Sequence, residues 1–184
     1  MEAFWISTGI VALAEIGDKT QLLALVLAAK YRKPLPIIFG IFVATLLNQA
    51  VAGYFGAWLA ATIGEQMLKW ILGVSFIAMA GWMLIPDKLD EEEEKPARFG
   101  VFLTTLIAFF IVEIGDKTQV ATVFLAAKYA DVIAVVAGTT VGMMVANVPA
   151  VLLGEVAAKK LPMRLVHSVV AMVFLVLGLV ILLN

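Results

Sequence analysis

The sequence predicts an all-α polytopic membrane protein whose six transmembrane helices form two inverted three-helix repeats. Three observations predict it. Of 184 residues, 63% are hydrophobic and 15% charged, with a mean hydropathy of +1.05; a soluble domain of this size has far more polar surface to cover. The apolar residues fall into six runs, each at least as long as the ~20 residues a straight helical span needs. Finally, Glu15-Ile16-Gly17-Asp18-Lys19-Thr20-Gln21 returns letter for letter at Glu113-Ile114-Gly115-Asp116-Lys117-Thr118-Gln119, each time inside a long apolar run.

The first run, 4–30, lacks a basic leading region and carries Glu15, Asp18 and Lys19 where a signal peptide keeps its uncharged core. It is therefore read as a span and not as a cleaved leader. The second run, 34–62, opens at Pro34, and the third, 66–86, closes at Pro86. The fourth, 99–129, repeats the first; the fifth and sixth cover 131–158 and 162–183. Runs one, two, four and five exceed a straight span, which predicts tilting or a break. In runs one and four the break has a seat at Gly17 and Gly115, since glycine weakens a helix and frees backbone carbonyls. Trp5, Trp58, Trp70 and Trp82 suit the membrane–water boundary.

The duplication extends beyond the motif. Segments 15–31 and 113–129 agree at 12 of 17 positions, seven in the motif and five in a shared Leu-Ala-Ala-Lys-Tyr, and Gly40 and Gly56 fall on Gly138 and Gly154. The expected organisation is a first three-helix repeat at 1–86, an acidic linker at 87–98 and a second repeat at 99–184. Because three is odd, the second repeat enters the membrane from the opposite side, the plan of many secondary transporters. Loop charges set the orientation. One face carries Lys30, Arg32, Lys33, Lys88, Lys95, Arg98, Lys159, Lys160 and Arg164; the other carries Lys69 and Lys128. Both termini are expected outside and the linker, with its run Glu91 to Glu94, in the cytoplasm. That linker is read as a solvated hinge, with a cation-collecting loop as the sharper alternative.

The composition also excludes functions. With no cysteine and one histidine, His167, the chain has no disulfide framework, thiolate metal site or cluster ligation. His167 follows a basic loop and is read as interfacial. Net charge is −1 and no basic, aromatic-interleaved face exists, so nucleic acid is not an expected partner. Neither a permanent cofactor nor an enzymatic activity is expected; an oligomer is compatible with the pattern.

Ionisable groups at membrane depth are costly and mark ion pathways. Glu15 and Asp18, like Glu113 and Asp116, are three residues apart, so on a helix each pair shares a face. Gln21 and Gln119 add amide oxygens, and Thr20 and Thr118 hydroxyls. Hard oxygen ligands suit calcium, magnesium or manganese; magnesium is the poorest candidate because it sheds water reluctantly. Four carboxylates against Lys19 and Lys117 leave a surplus of two negative charges, which one divalent cation or two protons would neutralise. A carboxylate removed from water favours its neutral form and bound metal displaces protons, so the pattern reads as an exchanger. The lysines cannot contact the cation; they are read as charge partners for Asp or Glu of the opposite repeat, or as snorkelling contacts. Asn48, Gln49 and Asn147, mid-run in the second and fifth segments, are either further ligands or interhelical hydrogen-bond partners. Met143 and Met144 are read as gap-filling. Glu65 and Glu155 sit at run ends, where hydration explains them.

Two copies of E-x-G-D-[K/R]-[T/S], each in the first helix of a three-helix half, with an acidic linker between, resemble the cation/proton antiporter family that includes bacterial manganese exporters and eukaryotic Golgi manganese/calcium transporters. The resemblance covers essentially the whole chain. It implies six helices in inverted halves and export of manganese, or calcium, against protons, with the lipid bilayer, the divalent ion and protons as partners. It assigns ligand and coupling roles to Glu15, Asp18, Thr20 and Gln21 and to Glu113, Asp116, Thr118 and Gln119. The short N-terminus points to a bacterial member in the inner membrane. Two alternatives are weaker. An exporter of small organic cations or amino acids usually keeps aromatic or apolar recognition surface beside the charge, which this motif lacks. An intramembrane aspartyl protease is echoed by Gly-Asp, but the lysine after each aspartate would hold it ionised.

Overall fold

The computed structural model describes residues 1–85, 100–153 and 163–183, and every regular element among them is helical. The expected linker, Glu155, Gly154 and the side chains of Glu65 and His167 lie outside the described residues. Among the described residues there are eight helices: α1 Glu2–Glu15, α2 Lys19–Tyr31, α3 Pro34–Thr62, α4 Glu65–Met83, α5 Val101–Glu113, α6 Lys117–Tyr129, α7 Val132–Leu153 and α8 Met163–Leu183. The six apolar runs become eight helices because runs one and four are split where glycine was expected to split them. Run two is not broken, α3 being continuous, and within the described part of run five α7 tolerates Pro149. Among the described residues three helices are each long and apolar enough to cross a membrane, Pro34–Thr62, Gln66–Met83 and Val132–Leu153, and shorter apolar helices occur at Val101–Glu113 and Ala171–Leu183.

Each element recurs 98 residues later. Lys19–Tyr31 maps onto Lys117–Tyr129 residue for residue, and both helices end on a left-handed residue, Arg32 and Ala130, whose N–H donates to the carbonyls of Ala28 and Ala126. Packing follows the same correspondence crosswise: α1 lies on α7, and its counterpart α5 lies on α3, the counterpart of α7. Glycine makes the closest approaches. A methyl group on Gly138 would strike the carbonyl of Phe4, and one on Gly40 would stand 2.8 Å from the carbonyl of Phe102, the residue 98 positions on from Phe4. In α4 and α8, Gly178 meets the carbonyl of Gly73 in the same way. Small residues let apolar helices gain van der Waals contact in a setting where lipid removes the hydrophobic drive for association.

The burial pattern is inverted relative to a water-soluble protein. Phe39, Tyr54, Phe55, Trp58 and Trp70 face outward, whereas Glu15, Asp18, Glu113, Asp116 and Lys117 are all at most 4% exposed. Two apolar clusters flank this polar centre. One joins α1, α4, α6, α7 and α8 around Phe76, Leu125 and Phe174; the other joins α2, α3, α5 and α7 around Ile37, Ile41 and Phe109.

Candidate functional site

The split in each long run is a tight turn. Ile16 (φ −63°, ψ 116°) precedes Gly17 (φ +81°), and the N–H of Asp18 donates to the carbonyl of Glu15 at 3.1 Å. Ile114 (φ −62°, ψ 119°), Gly115 (φ +76°) and the 3.1 Å bond from Asp116 N–H to the Glu113 carbonyl reproduce it. These are the marks of a type II turn, which needs a positive φ at its third residue and hence glycine. The reading that each Glu–Asp pair shares a helical face is therefore corrected. The helix stops at the glutamate and restarts after the aspartate, so the two carboxylates meet across a turn.

Each aspartate then stands at a helix N-terminus, where the positive end of the backbone dipole favours a negative group. Asp116 Oδ2 accepts from the backbone N–H of Thr118 at 3.3 Å, a helix cap of the kind that contributes about 1 kcal/mol. Each glutamine folds back to its own turn: Gly17 N–H donates to Gln21 Oε1 at 2.9 Å and Gly115 N–H to Gln119 Oε1 at 2.7 Å. Their amide nitrogens reach the other half. Gln21 Nε2 donates to the carbonyl of Ala146 at 3.1 Å, and Gln119 Nε2 to Asn48 Oδ1 at 3.4 Å, positions 98 residues apart. The glutamine oxygens expected as ligands thus close the turns they follow.

The two motifs come together. Lys19 Nζ lies 3.3 Å from Asp116 Oδ1, a charge pair across the halves as the sequence suggested. Asn147 on α7 donates to Glu15 Oε1 at 3.1 Å and to the carbonyl of Met143 at 3.1 Å. Thr118 Oγ1 stands 3.4 Å from Glu113 Oε2 and 3.3 Å from Asp116 Oδ2, tying that pair together. Lys117 differs from its counterpart Lys19: buried, it donates to the carbonyl of Ile85 at 2.7 Å and lies 6.0 Å from the Trp82 ring centre. The carboxylates do not close into a cage; among the described residues no three acidic or histidine side chains gather closely enough to hold a metal ion. Glu15 is held by the Asn147 amide and Asp116 by the Lys19 ammonium, while the Thr118 hydroxyl is shared between Glu113 and Asp116.

The three mid-helix amides, alike in the sequence, separate here. Asn48 is engaged at both ends, donating to the carbonyl of Phe110 at 3.2 Å and accepting from Gln119. Asn147 uses its nitrogen on Glu15 while Oδ1 has no partner. Gln49, fully buried, has a partner for neither Oε1 nor Nε2. Glu15 Oε2, Thr20 Oγ1 and Glu113 Oε1 are also buried without a partner. Sequence reasoning missed the backbone acceptors at Ile85, Phe110 and Ala146, for which no side-chain signal exists. It also missed Thr45, buried without a partner one turn before Gln49, where a four-residue spacing on one helix was the available clue. Met143 is fully buried, and Met144 packs against the apolar cluster around Phe109.

The family model described as divalent cation/proton antiporter GDT1 matches residues 3–91 and 101–184, nearly the whole chain. The chain belongs to this family. It is 55% identical over 180 residues to a Vibrio cholerae protein named "Putative manganese exporter", covering 97% of this chain and 90% of that one. A GDT1-like protein of Synechocystis is 25% identical over 193 residues, covering 95% and 93% of the two chains. GDT1-like protein 3 of Arabidopsis thaliana is likewise 25% identical, over 95% of this chain and 68% of its own length. No solved structure matches the chain. The membership makes this a multi-pass membrane protein of a cation-transporter family.

Proposed function

We propose that the chain exports divalent cations from the cytoplasm, manganese first and calcium by the same hard-oxygen chemistry, in exchange for protons. One observation carries the reading: Glu15 Oε2, Thr20 Oγ1, Glu113 Oε1 and Asn147 Oδ1, contributed by both halves, are buried oxygens without a partner. An unpaired buried polar atom is destabilising by about 1–3 kcal/mol, and a cation drawn to these four oxygens would remove that penalty, which supports the reading. Their type fits manganese or calcium better than a soft ion. Manganese is favoured because the Vibrio cholerae relative carries it in its name.

The ligands in this proposal are Glu15, Asp18, Thr20, Glu113, Asp116, Thr118 and Asn147; Gln21 and Gln119 set the turns and supply a second lone pair. Lys19 holds Asp116 while the cation is elsewhere and yields it on binding. A proton competes for the same carboxylate oxygens, which couples the two flows. The halves 1–86 and 99–184 form six spans in inverted orientation, each broken helix counting as one span, with the linker in the cytoplasm and both termini outside a bacterial inner membrane. Support for the duplication comes from the 98-residue correspondence and from the two family matches, one to each half. Short half-helices meeting near mid-membrane are the arrangement in which transporters hold ions. The test is uptake by inverted vesicles, run across a panel of manganese, calcium, magnesium and zinc with a pH-sensitive dye inside. Manganese entry with proton exit is expected; transport of none of these metals, or transport without a pH change, overturns the reading.

A further inference from the structure

The halves differ in how their mid-helix amides are used, and one amide is left over. Asn147 and Gln49 occupy equivalent positions, 98 residues apart, on α7 and α3. Asn147 turns its nitrogen to Glu15 and leaves its oxygen buried and unpartnered. Gln49 stands at the counterpart place. Its helix packs on α5, which ends at Glu113, and on α6. Its neighbour Asn48 bonds to the carbonyl of Phe110, one turn before Glu113, and to Gln119, just after it. Gln49 is 0% exposed and unpartnered at both amide atoms, while Glu113 Oε1 is likewise buried without a partner. A fully buried primary amide satisfied at neither end is rare in a native protein and calls for an explanation.

We propose that Gln49 is a selectivity-determining ligand of the transported cation: its carbonyl oxygen coordinates the ion while its –NH2 holds Glu113 Oε1. Asn147 already displays half of this arrangement, with –NH2 on the glutamate of the opposite half and oxygen left over. The bidirectional character of an amide is what the position requires, since one end must donate to a carboxylate and the other must donate a lone pair to a cation. A neutral oxygen adds a ligand without adding charge, so it changes size and hardness preference while leaving the proton count untouched. The inference rests on the cation-export reading and names a ligand outside the repeated motif.

The experiment uses the full-length protein in proteoliposomes and measures transport of Mn2+, Ca2+ and Cd2+ separately. Gln49→Met keeps the side-chain length and replaces the hard oxygen by a soft sulfur, which favours soft ions. Its apparent affinity for Mn2+ and Ca2+ is expected to fall at least about tenfold, the usual scale for disturbing a metal site, while the Cd2+ to Mn2+ preference rises by a similar factor. Gln49→Asn retains the amide but withdraws it by one methylene, and is expected to alter the Mn2+ to Ca2+ ratio with transport retained. If the Met variant does not fold, the Asn variant decides. Equal losses for all three ions, or ratios identical to wild type in the variants that fold, overturn the inference. Wild-type protein that transports none of the three ions would instead overturn the export reading itself.

Discussion

Gly115→Ala isolates the contribution of the turn. Gly115 adopts φ +76°, and a Cβ built on it meets no atom within 4 Å. Alanine therefore brings no clash, only the penalty of placing an L-residue in the left-handed region, about 1–2 kcal/mol. At about 2–4 °C per kcal/mol for a chain of this size, thermal unfolding in detergent should begin about 2–8 °C lower. Strain of that size is relieved by shifting the backbone between Glu113 and Asp116, so manganese transport should fall more than stability does. Two companions sharpen the measurement. Gly115→Asn, a residue that tolerates this backbone better, should fall between wild type and alanine. Gly9→Ala, in α1 with no atom within 4 Å and an ordinary helical backbone, should be neutral or stabilise by up to about 1 kcal/mol. If alanine at 115 unfolds and transports like wild type, or if Gly9→Ala is equally damaging, the turn argument is refuted.

Three other outcomes are expected. Asp18→Asn and Asp116→Asn should each abolish transport in a protein that still folds; near wild-type activity in either would favour two independent half-sites. Because the chain has no cysteine, Glu92→Cys introduces a single thiol, which should react with a membrane-impermeant reagent only in inverted vesicles; labelling of intact cells would reverse the topology and the direction of transport. Protons and metal compete for one set of oxygens, so apparent manganese affinity should weaken as pH falls, and Glu15→Gln and Glu113→Gln should each flatten the slope of log affinity against pH. An unchanged slope in both variants would place the coupling proton on another group.

The sequence made the helical class, the two breaks at Gly17 and Gly115 and the cross-half role of Lys19 legible, because each depends on composition, on one residue's backbone freedom or on a charge that needs a partner. It did not separate a shared helical face from a turn, since Glu-x-x-Asp satisfies both. Nor did it rank Asn48, Gln49 and Asn147. All three are amides in apolar runs, and what distinguishes them is contact, or its lack, with atoms 62 to 132 residues away, one of them a backbone carbonyl that looks the same at every position. The sequence could not foresee that Gln21 and Gln119 also close their turns, because an amide four residues past a turn glycine can bond its N–H as readily as it can face a metal.

The crosswise packing also constrains biosynthesis. Asn147, the partner of Glu15, is 132 residues further along the chain. At about 5–20 residues per second, α1 waits on the order of 7–26 s before the amide that receives its carboxylate has been synthesised. Through that interval the nascent first half holds acidic groups at membrane depth without their eventual neighbours, so it must be sheltered by the insertion machinery or remain incompletely inserted. The packing of α7 over α1, brought to backbone contact at Gly138 and Phe4, can therefore form only after the second half has been made.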